Sequence, residues 1–160
     1  MPDFLFILIF IVIAICYLSR YHKHKDLPRL MNRLVGFYFM WCVGFIALLG
    51  FICHMFYPAW TAQFIGWPTS PFQREIALAN LAVAVGAFFA FGQNRGYRWG
   101  VFIGYFVFYF GAGINHIVDI FQSSDHSTGN AGYVLYLDLI MPVVLLILML
   151  IHQKSIKKKT

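Results

Sequence analysis

The sequence predicts an all-α protein: a polytopic transmembrane helical bundle of about five helices, in which residues 1–160 form a single integral membrane domain. The first observation is composition, because 61% of the 160 residues are hydrophobic and only 11% are charged, more apolar surface than one soluble core could hide. The second is pattern, since the runs at 4–18, 34–56 and 133–151 are apolar on every face, whereas soluble helices alternate apolar and polar faces. The lipid bilayer is therefore the first partner we expect.

The first predicted span covers residues 4–19. With about 16 residues, it is slightly short for a hydrocarbon core of about 30 Å. No basic stretch precedes it, and no small-x-small cleavage site follows it before Arg20. We therefore interpret it as a retained helix and not as a signal peptide.

The other predicted spans cover residues 34–57, 71–91, 97–121 and 132–151. Pro58 ends the second span. The third has the clearest start, because Ser70 is a good N-cap, Pro71 suits the first helical position and Gln73 completes a capping box. Turns rich in glycine or in Ser, Asp, Gly and Asn separate the last three spans.

Residues 58–68, between the second and third spans, form a predicted interfacial segment. Trp60, Phe64 and Trp67 recur there at helical spacing, and prolines lie on either side. Because Trp favours the headgroup level of a bilayer, we expect a short helix in the interface. Two interpretations stay open: an aromatic anchor, or a lid over a pocket.

Basic residues predict the orientation, because short cytoplasmic loops hold an excess of Lys and Arg. Eleven of the twelve fall on one side of the five predicted spans, in the segment 20–33, at Arg95 and Arg98, and in the tail 154–159; only Arg74 falls on the other. The N-terminus is therefore predicted outside and the C-terminus inside. These residues form short clusters and no continuous basic face, so we expect no nucleic-acid partner.

Small residues predict which helices pack most closely. Gly96, Gly100 and Gly104 form consecutive small-xxx-small steps on the fourth span. The third span carries a matching set, which comprises Ala79, Ala82, Gly86 and Ala90. We expect these two spans to be the closest pair.

Polar side chains gather near the outer ends of spans two to five. A charged side chain inside a bilayer costs at least about 2.5 kcal/mol, so each one needs a partner or a function. At 1.5 Å per residue, one titratable group from each of these spans lies about 4–8 Å below the outer helix end. The predicted ligand-binding residues are His54, Gln73, Glu75, Asn80, Asn115, His116, Asp119 and Asp138, around one cavity with the two asparagines at its floor.

A divalent metal is one candidate cofactor for this cluster, because imidazole and carboxylate ligands from facing helices hold iron, zinc or manganese in helical bundles. The candidate metal ligands are His54, Glu75, His116, Asp119 and Asp138. No E-x-x-H pair occurs in the sequence, so a di-iron centre is not favoured. Pro142 cannot donate to the carbonyl of Asp138, so that carbonyl is either a further cation ligand or a consequence of a helix bend.

Other uses of the cluster stay open. Glu75 with His116 could supply the acid and the base of an intramembrane enzyme acting on a lipid-soluble substrate. The same groups could satisfy one another as interhelical hydrogen bonds that only hold the bundle together. Because the inner halves of spans three to five are almost purely apolar, the pattern favours a pocket open to the outside over a channel.

A family resemblance rests on the strings IGWP at 65–68, SPFQRE at 70–75, ANL at 79–81, NHIVD at 115–119 and NAG at 130–132, and on Asp138 with Pro142. On these strings, residues 34–150 resemble a family of small uncharacterised prokaryotic multi-pass membrane proteins, a domain of unknown function. The resemblance implies a helical membrane fold and a prokaryotic source, and hence the cell inner (plasma) membrane. It implies no catalytic role.

Our functional prediction is an integral membrane protein with an outward-facing polar site that binds a cation or small polar ligand, as part of transport. The alternatives are the intramembrane enzyme and a structural or assembly subunit. The expected partners are the bilayer, the ligand or cation, and a second copy of the chain in a homo-oligomer.

Overall fold

The protein is described by a computed structural model over residues 2–24 and 26–157, and within these ranges it consists of helices and their connecting loops, with no β-strand. Three of the basic residues that predict the orientation, Lys25, Lys158 and Lys159, lie outside the described residues. The helices are α1 Pro2–His24, α2 Leu27–Phe56, α3 Pro58–Ile65, α4 Phe72–Ala90, α5 Arg95–Ser123 and α6 Tyr133–Lys157. The middle of α2 widens into a π-helical stretch at Phe39–Gly44.

Five of these helices are long and apolar enough to cross a membrane. They are α1, α2, α4, α5 and α6, whereas α3 is a single short helix of eight residues. The predicted all-α bundle with five spans and a short helix between the second and third is therefore confirmed at the level of its helices. The direction in which they cross a membrane stays a prediction.

The second span begins earlier than predicted. We expected a connecting loop over 20–33, but α2 starts at Leu27, where the Asp26 carboxylate accepts a hydrogen bond from the Arg29 backbone N–H at 3.4 Å. Leu30 and Met31 are buried one turn later and pack against α1. Arg29 and Arg33 therefore lie on the solvated face of the amphipathic start of α2 and not in a loop.

The predicted capping box at the start of α4 does not form. Pro71 occupies the N-cap position, and no side chain within the described ranges caps this helix. The Gln73 side chain, 2% exposed, instead bonds the His54 ring on α2. A buried imidazole partner outcompetes a local backbone N–H that water can also satisfy.

The prediction that the third and fourth spans form the closest pair is wrong. Helix α4 packs most extensively against the second half of α2, where a Cβ on Gly44 would lie 2.7 Å from the Phe88 ring. On α5, Gly100 and Gly104 are exposed and have no atom within 4 Å of a Cβ position. Bulky residues such as Phe102 and Tyr105 form the buried face of α5 instead, because burying a ring removes more apolar surface than burying a glycine.

The main hydrophobic core occupies one half of the bundle. It comprises the first half of α2 around Tyr38 and Phe39, the first half of α5 and the second half of α6. The Tyr38 hydroxyl donates to the Met141 carbonyl at 2.8 Å and ties α2 to α6. The other half contains the ends where α2 and α5 finish and α4 and α6 begin, and that end holds the polar side chains.

Candidate ligand cavity

A cavity of about 360 Å³ lies at this second end of the bundle, and all six helices contribute to its lining. Most of the wall is aliphatic or aromatic, as in ligand pockets of proteins generally. Of the eight predicted ligand-binding residues, four line the cavity: His54 on α2, Asn80 on α4, His116 on α5 and Asp138 on α6. We call this space, with its lining residues, the cavity.

A hydrogen-bonded chain leads from the loop 124–132 to Asp138. The Asn130 amide nitrogen donates to the Asp125 carbonyl at 2.7 Å, which directs its amide oxygen toward His116. That oxygen lies 2.5 Å from His116 Nδ1 and accepts a hydrogen bond from the Nδ1–H group. His116 Nε2 then faces the Asp138 carboxylate at 3.6 Å. Sequence reasoning placed His116 and Asp138 in one site but did not assign them to each other.

A second polar contact fixes Asn80. Its amide nitrogen donates to the Ile76 carbonyl at 2.9 Å, and its oxygen accepts from the Tyr109 hydroxyl at 2.6 Å. Helix α2 comes close at this level, because a Cβ on Gly50 would lie 2.7 Å from the Asn80 oxygen. Asn80 is therefore held in one orientation beside the cavity.

Gln73, Asp119 and Asn115 do not line the cavity but lie close to residues that do. Gln73 holds the His54 ring from behind. Asp119 accepts a hydrogen bond from the Trp67 indole at 3.1 Å and another from the exposed Asn115 at 3.3 Å. Asp119 thus positions a lining residue, and the predicted place of Asn115 at the floor is wrong.

Glu75 is exposed and lies outside the cavity. The buried residues of α4 are Gln73, Ala77, Asn80 and Ala84, which follow the helical period. At about 100° per residue, Glu75 points away from that face. The predicted acid and base pair of Glu75 with His116 is therefore not formed, and Asp138 takes the position beside His116.

The candidate metal ligands do not converge. Within residues 2–24 and 26–157, no three His, Cys, Asp or Glu side chains are placed to hold one metal ion. His54 bonds Gln73, His116 bonds Asn130, and Asp119 bonds Trp67. A divalent metal site on the predicted five residues is not supported by this geometry, because three of them are held by other partners and Glu75 lies exposed outside the cavity.

Helix α3 lies along one side of the cavity, and the loop 124–132 is bonded to it. Trp60, Phe64 and Trp67 all line the cavity, which is the arrangement that the lid interpretation of the interfacial segment requires, and that interpretation stays a prediction. The Gly129 N–H donates to the Phe64 carbonyl at 2.9 Å, and the left-handed Gly66 (φ 92°) lies against the loop where a Cβ would collide with Asp125. We call residues 58–67 the lid segment.

Asp125 organises this loop. Its carboxylate accepts hydrogen bonds from the Ser127 side chain and from the Ser127 N–H, the latter at 2.9 Å, and these lower the pKa of Asp125 below its usual value. The same residue supplies the carbonyl that orients Asn130. The loop that bonds the lid segment is thus also the loop that orients His116.

Several cavity residues were missed by sequence reasoning. Asp3 on α1 and Tyr133 on α6 both line the cavity, and the Tyr133 hydroxyl donates to the Asp3 carboxylate at 3.3 Å. Tyr109 was overlooked because it looks like one more ring in an aromatic helix. The signal for Asp3 was available, since it is a lone carboxylate next to an apolar span.

Comparison with known proteins gives one family. The model of the family of unknown function DUF6790 matches residues 2–158, so the chain belongs to that family. No curated protein and no solved structure matches the chain.

Proposed function

For this member of a family of unknown function, we propose a role as an integral membrane protein that binds a small amphiphilic molecule in the cavity. The observation that supports this proposal is a cavity of about 360 Å³ whose wall is mainly apolar but includes His54, Asn80, His116 and Asp138. A volume of about 300–1,000 Å³ with a few oriented polar groups is usual for a ligand pocket. The ligand is therefore partly apolar, unlike the free cation or small polar molecule that the sequence suggested.

Two features support binding over a purely structural role for the polar residues. The cavity is large enough for a ligand, whereas side chains that only fix helix packing fill the space between them. In addition, the Asp138 carboxylate accepts no hydrogen bond within the described part of the chain, although 11% of its side-chain surface stays accessible. A purely structural network satisfies its buried charges.

The proposal includes an orientation. By the distribution of Lys and Arg, the lid segment faces outward and the C-terminus of α6 faces the cytoplasm. The membrane in this proposal is the inner (plasma) membrane of a prokaryotic cell, as the family resemblance of residues 34–150 implies. Substituting Ser124 or Lys154, both exposed, with Cys and labelling intact cells with an impermeant thiol reagent tests this. Labelling at position 124 alone is expected; labelling at position 154 alone would reverse the orientation.

Cys53 offers a direct test of binding because it lines the cavity, whereas Cys16 lies exposed on α1. Purified protein in lipid nanodiscs is treated with N-ethylmaleimide, and modification of each cysteine is followed by mass spectrometry. Three eight-carbon probes, octylamine, 1-octanol and octanoate, are added at equal membrane-bound concentration. At least one probe is expected to slow modification of Cys53 and leave that of Cys16 unchanged. If no probe slows Cys53, or if both cysteines slow equally, the binding proposal is wrong.

A second candidate function is acid–base catalysis on such a molecule. It is favoured by the order Asn130, His116, Asp138, in which an amide orients an imidazole and the imidazole faces a carboxylate. This candidate requires chemical change of the bound molecule. Incubating the protein with lipid extract and comparing the extract by mass spectrometry, with His116→Gln as the control, would reveal a product that only the unaltered protein forms.

A further inference from the structure

We propose that the polar end of this ligand is an organic ammonium group, held beside Asp138 and Asp3 and against aromatic rings, with its hydrocarbon part along the apolar wall. This rests on the proposed binding function and names the chemical class of the ligand. It differs from the metal site that the sequence suggested, because the cation is part of an amphiphilic molecule.

The charges around the cavity favour a cation. Two carboxylates, Asp3 and Asp138, line the cavity, and no Lys or Arg within the described residues lines it. Among the described residues, the lining groups that can become cationic are the imidazoles of His54 and His116, and both are held by side-chain amides. A buried carboxylate without a fixed countercharge is stabilised when a ligand supplies one.

Of the two carboxylates that line the cavity, Asp138 has the fewer hydrogen-bond partners, because Asp3 accepts a bond from Tyr133. Asp138 is 8% exposed, and the distance of 3.6 Å to His116 Nε2 is too long for a hydrogen bond. Asp119, in contrast, accepts two hydrogen bonds and Asp125 accepts bonds from Ser127. Asp138 thus has acceptor capacity that an ammonium N–H can use. Pro142 also lacks the N–H that would normally bond the Asp138 carbonyl, which adds a second acceptor at the same residue.

Aromatic rings surround the same space. Trp60, Phe64 and Trp67 line it from the lid segment, and Tyr109 and Tyr133 line it from α5 and α6. The negative face of such rings attracts an organic cation, by about 0.5–2 kcal/mol depending on desolvation. Trp67 is held in place by its bond to Asp119 and lies 6.1 Å from the His116 ring, centroid to centroid. An anionic head group would be repelled by the negative faces of these rings and by the two carboxylates.

The remaining wall suits a hydrocarbon chain. Leu49 from α2, Ile76 from α4 and Leu137 from α6 line the cavity, and Phe108 and Ala112 continue it along α5. Ligating side chains do not converge on a single point within the described residues, as a metal ion would require. An amphiphilic ammonium uses both parts of the lining, whereas an inorganic cation uses only the carboxylates.

The cysteine-protection assay tests this class of ligand. Octylamine, protonated at neutral pH, is expected to protect Cys53 at about a tenfold lower membrane-bound concentration than 1-octanol, and octanoate is expected to protect least. The Asp138→Asn variant should lose this preference, so that octylamine and 1-octanol protect alike. Glu75→Gln is the matched control, because it removes an exposed carboxylate outside the cavity. It should leave the preference unchanged.

The outcomes separate this inference from the proposed function. If 1-octanol or octanoate protects as well as octylamine, the cavity binds amphiphiles but the ammonium assignment is wrong. If no probe protects Cys53, the binding function itself fails. If Asp138→Asn does not fold, two measurements still decide the question. One is the order of protection by the three probes on the unaltered protein. The other is the Asp3→Asn variant, which should selectively weaken protection by octylamine.

Discussion

The two ends of the bundle differ in how many hydrogen-bond partners they supply to a buried ionisable side chain. At the end away from the cavity, Arg98 is 3% exposed, and each nitrogen of its guanidinium donates a hydrogen bond. Nε bonds the Ala90 carbonyl at 2.9 Å, Nη2 bonds the Phe91 carbonyl at 2.7 Å, and Nη1 bonds the Asn32 side chain at 2.8 Å. At the cavity end, the Asp138 carboxylate accepts no hydrogen bond from the described residues.

The role of Arg98 follows from the carbonyls that it reaches. The last carbonyls of a helix have no intrahelical partner and carry partial negative charge, so a cation placed there is favourable. Arg98 satisfies these groups at the end of α4 and connects them to α2 through Asn32. The geometry is also tight, because a Cβ on Gly36 would lie 2.8 Å from the Phe91 carbonyl. Here the charge holds three helices together.

These two residues show how a buried ionisable group that holds the fold together differs from one that is available to a ligand. Burial alone does not separate them, since Arg98 and Asp138 are both nearly inaccessible. What separates them is whether the protein itself supplies all the hydrogen-bond partners. Three substitutions test whether this distinction is real.

Arg98→Ala is expected to have the largest effect. It removes the donors to the Ala90 and Phe91 carbonyls and should lower the free energy of unfolding by about 3 kcal/mol. Denaturant unfolding in detergent, followed by circular dichroism, measures the loss. Arg95→Ala is the matched control because Arg95 is exposed on the same helix. An equal loss in both variants would mean that Arg98 contributes only as a surface charge.

Asp138→Leu should change stability much less, although Asp138 is as buried as a core residue. We expect the free energy of unfolding to stay within about 1 kcal/mol of the original or to rise, because an apolar side chain of similar size replaces a buried carboxyl group that accepts no hydrogen bond from the described residues. The same unfolding assay measures it. A loss as large as that of Arg98→Ala would identify Asp138 as structural and remove the contrast between the two ends.

The smallest effect is expected at Asp125 and depends on pH. Because the folded-state pKa of Asp125 is lowered, the charged carboxylate stabilises the folded loop above the unfolded value of about 3.9, and this stabilisation is lost as the pH falls through the lower folded value. Asp125→Asn keeps an acceptor oxygen but removes the charge. The variant should therefore be slightly less stable than the original at pH 7, and the difference should close below about pH 4.

Thermal unfolding of both proteins across this pH range makes the comparison. A difference that stays constant down to pH 3 would show that the charge of Asp125 does not stabilise the loop. Such a result would also weaken the argument that this loop holds Asn130, and through it His116, in place.

The helices of this protein were predictable because their signal is local. Apolar runs, Pro58 and the aromatic spacing of the lid segment indicated five spans and one short helix, as the structure has them. The errors lie at the ends, where alternatives compete. The sequence around Leu27 is compatible with a loop as well as with a helix start. The side chain of Gln73 can bond either a backbone N–H in a capping box or the ring of His54, and in the structure it bonds His54.

The candidate site was predictable only in part, because its residues depend on how each helix is rotated. The level of the polar groups along the spans follows from counting residues, and four of the predicted residues, His54, Asn80, His116 and Asp138, line the cavity. Whether Glu75 faces the cavity depends on what α4 packs against. Asp3 joins the site because the start of α1 meets the start of α6, where Tyr133 donates to Asp3 and packs against Phe4.

The sequence by itself therefore determined the helical class, the number of membrane-length helices and the level of the polar groups, since hydropathy and residue counting act within a single helix. Only the tertiary structure decided that Gly100 and Gly104 of α5 face outward, that Arg98 caps α4 and that Asn130 orients His116. These are contacts between segments far apart in the chain. They arise because burying large rings and satisfying buried polar groups compete for the same interfaces, and that competition is resolved only when all helices pack together.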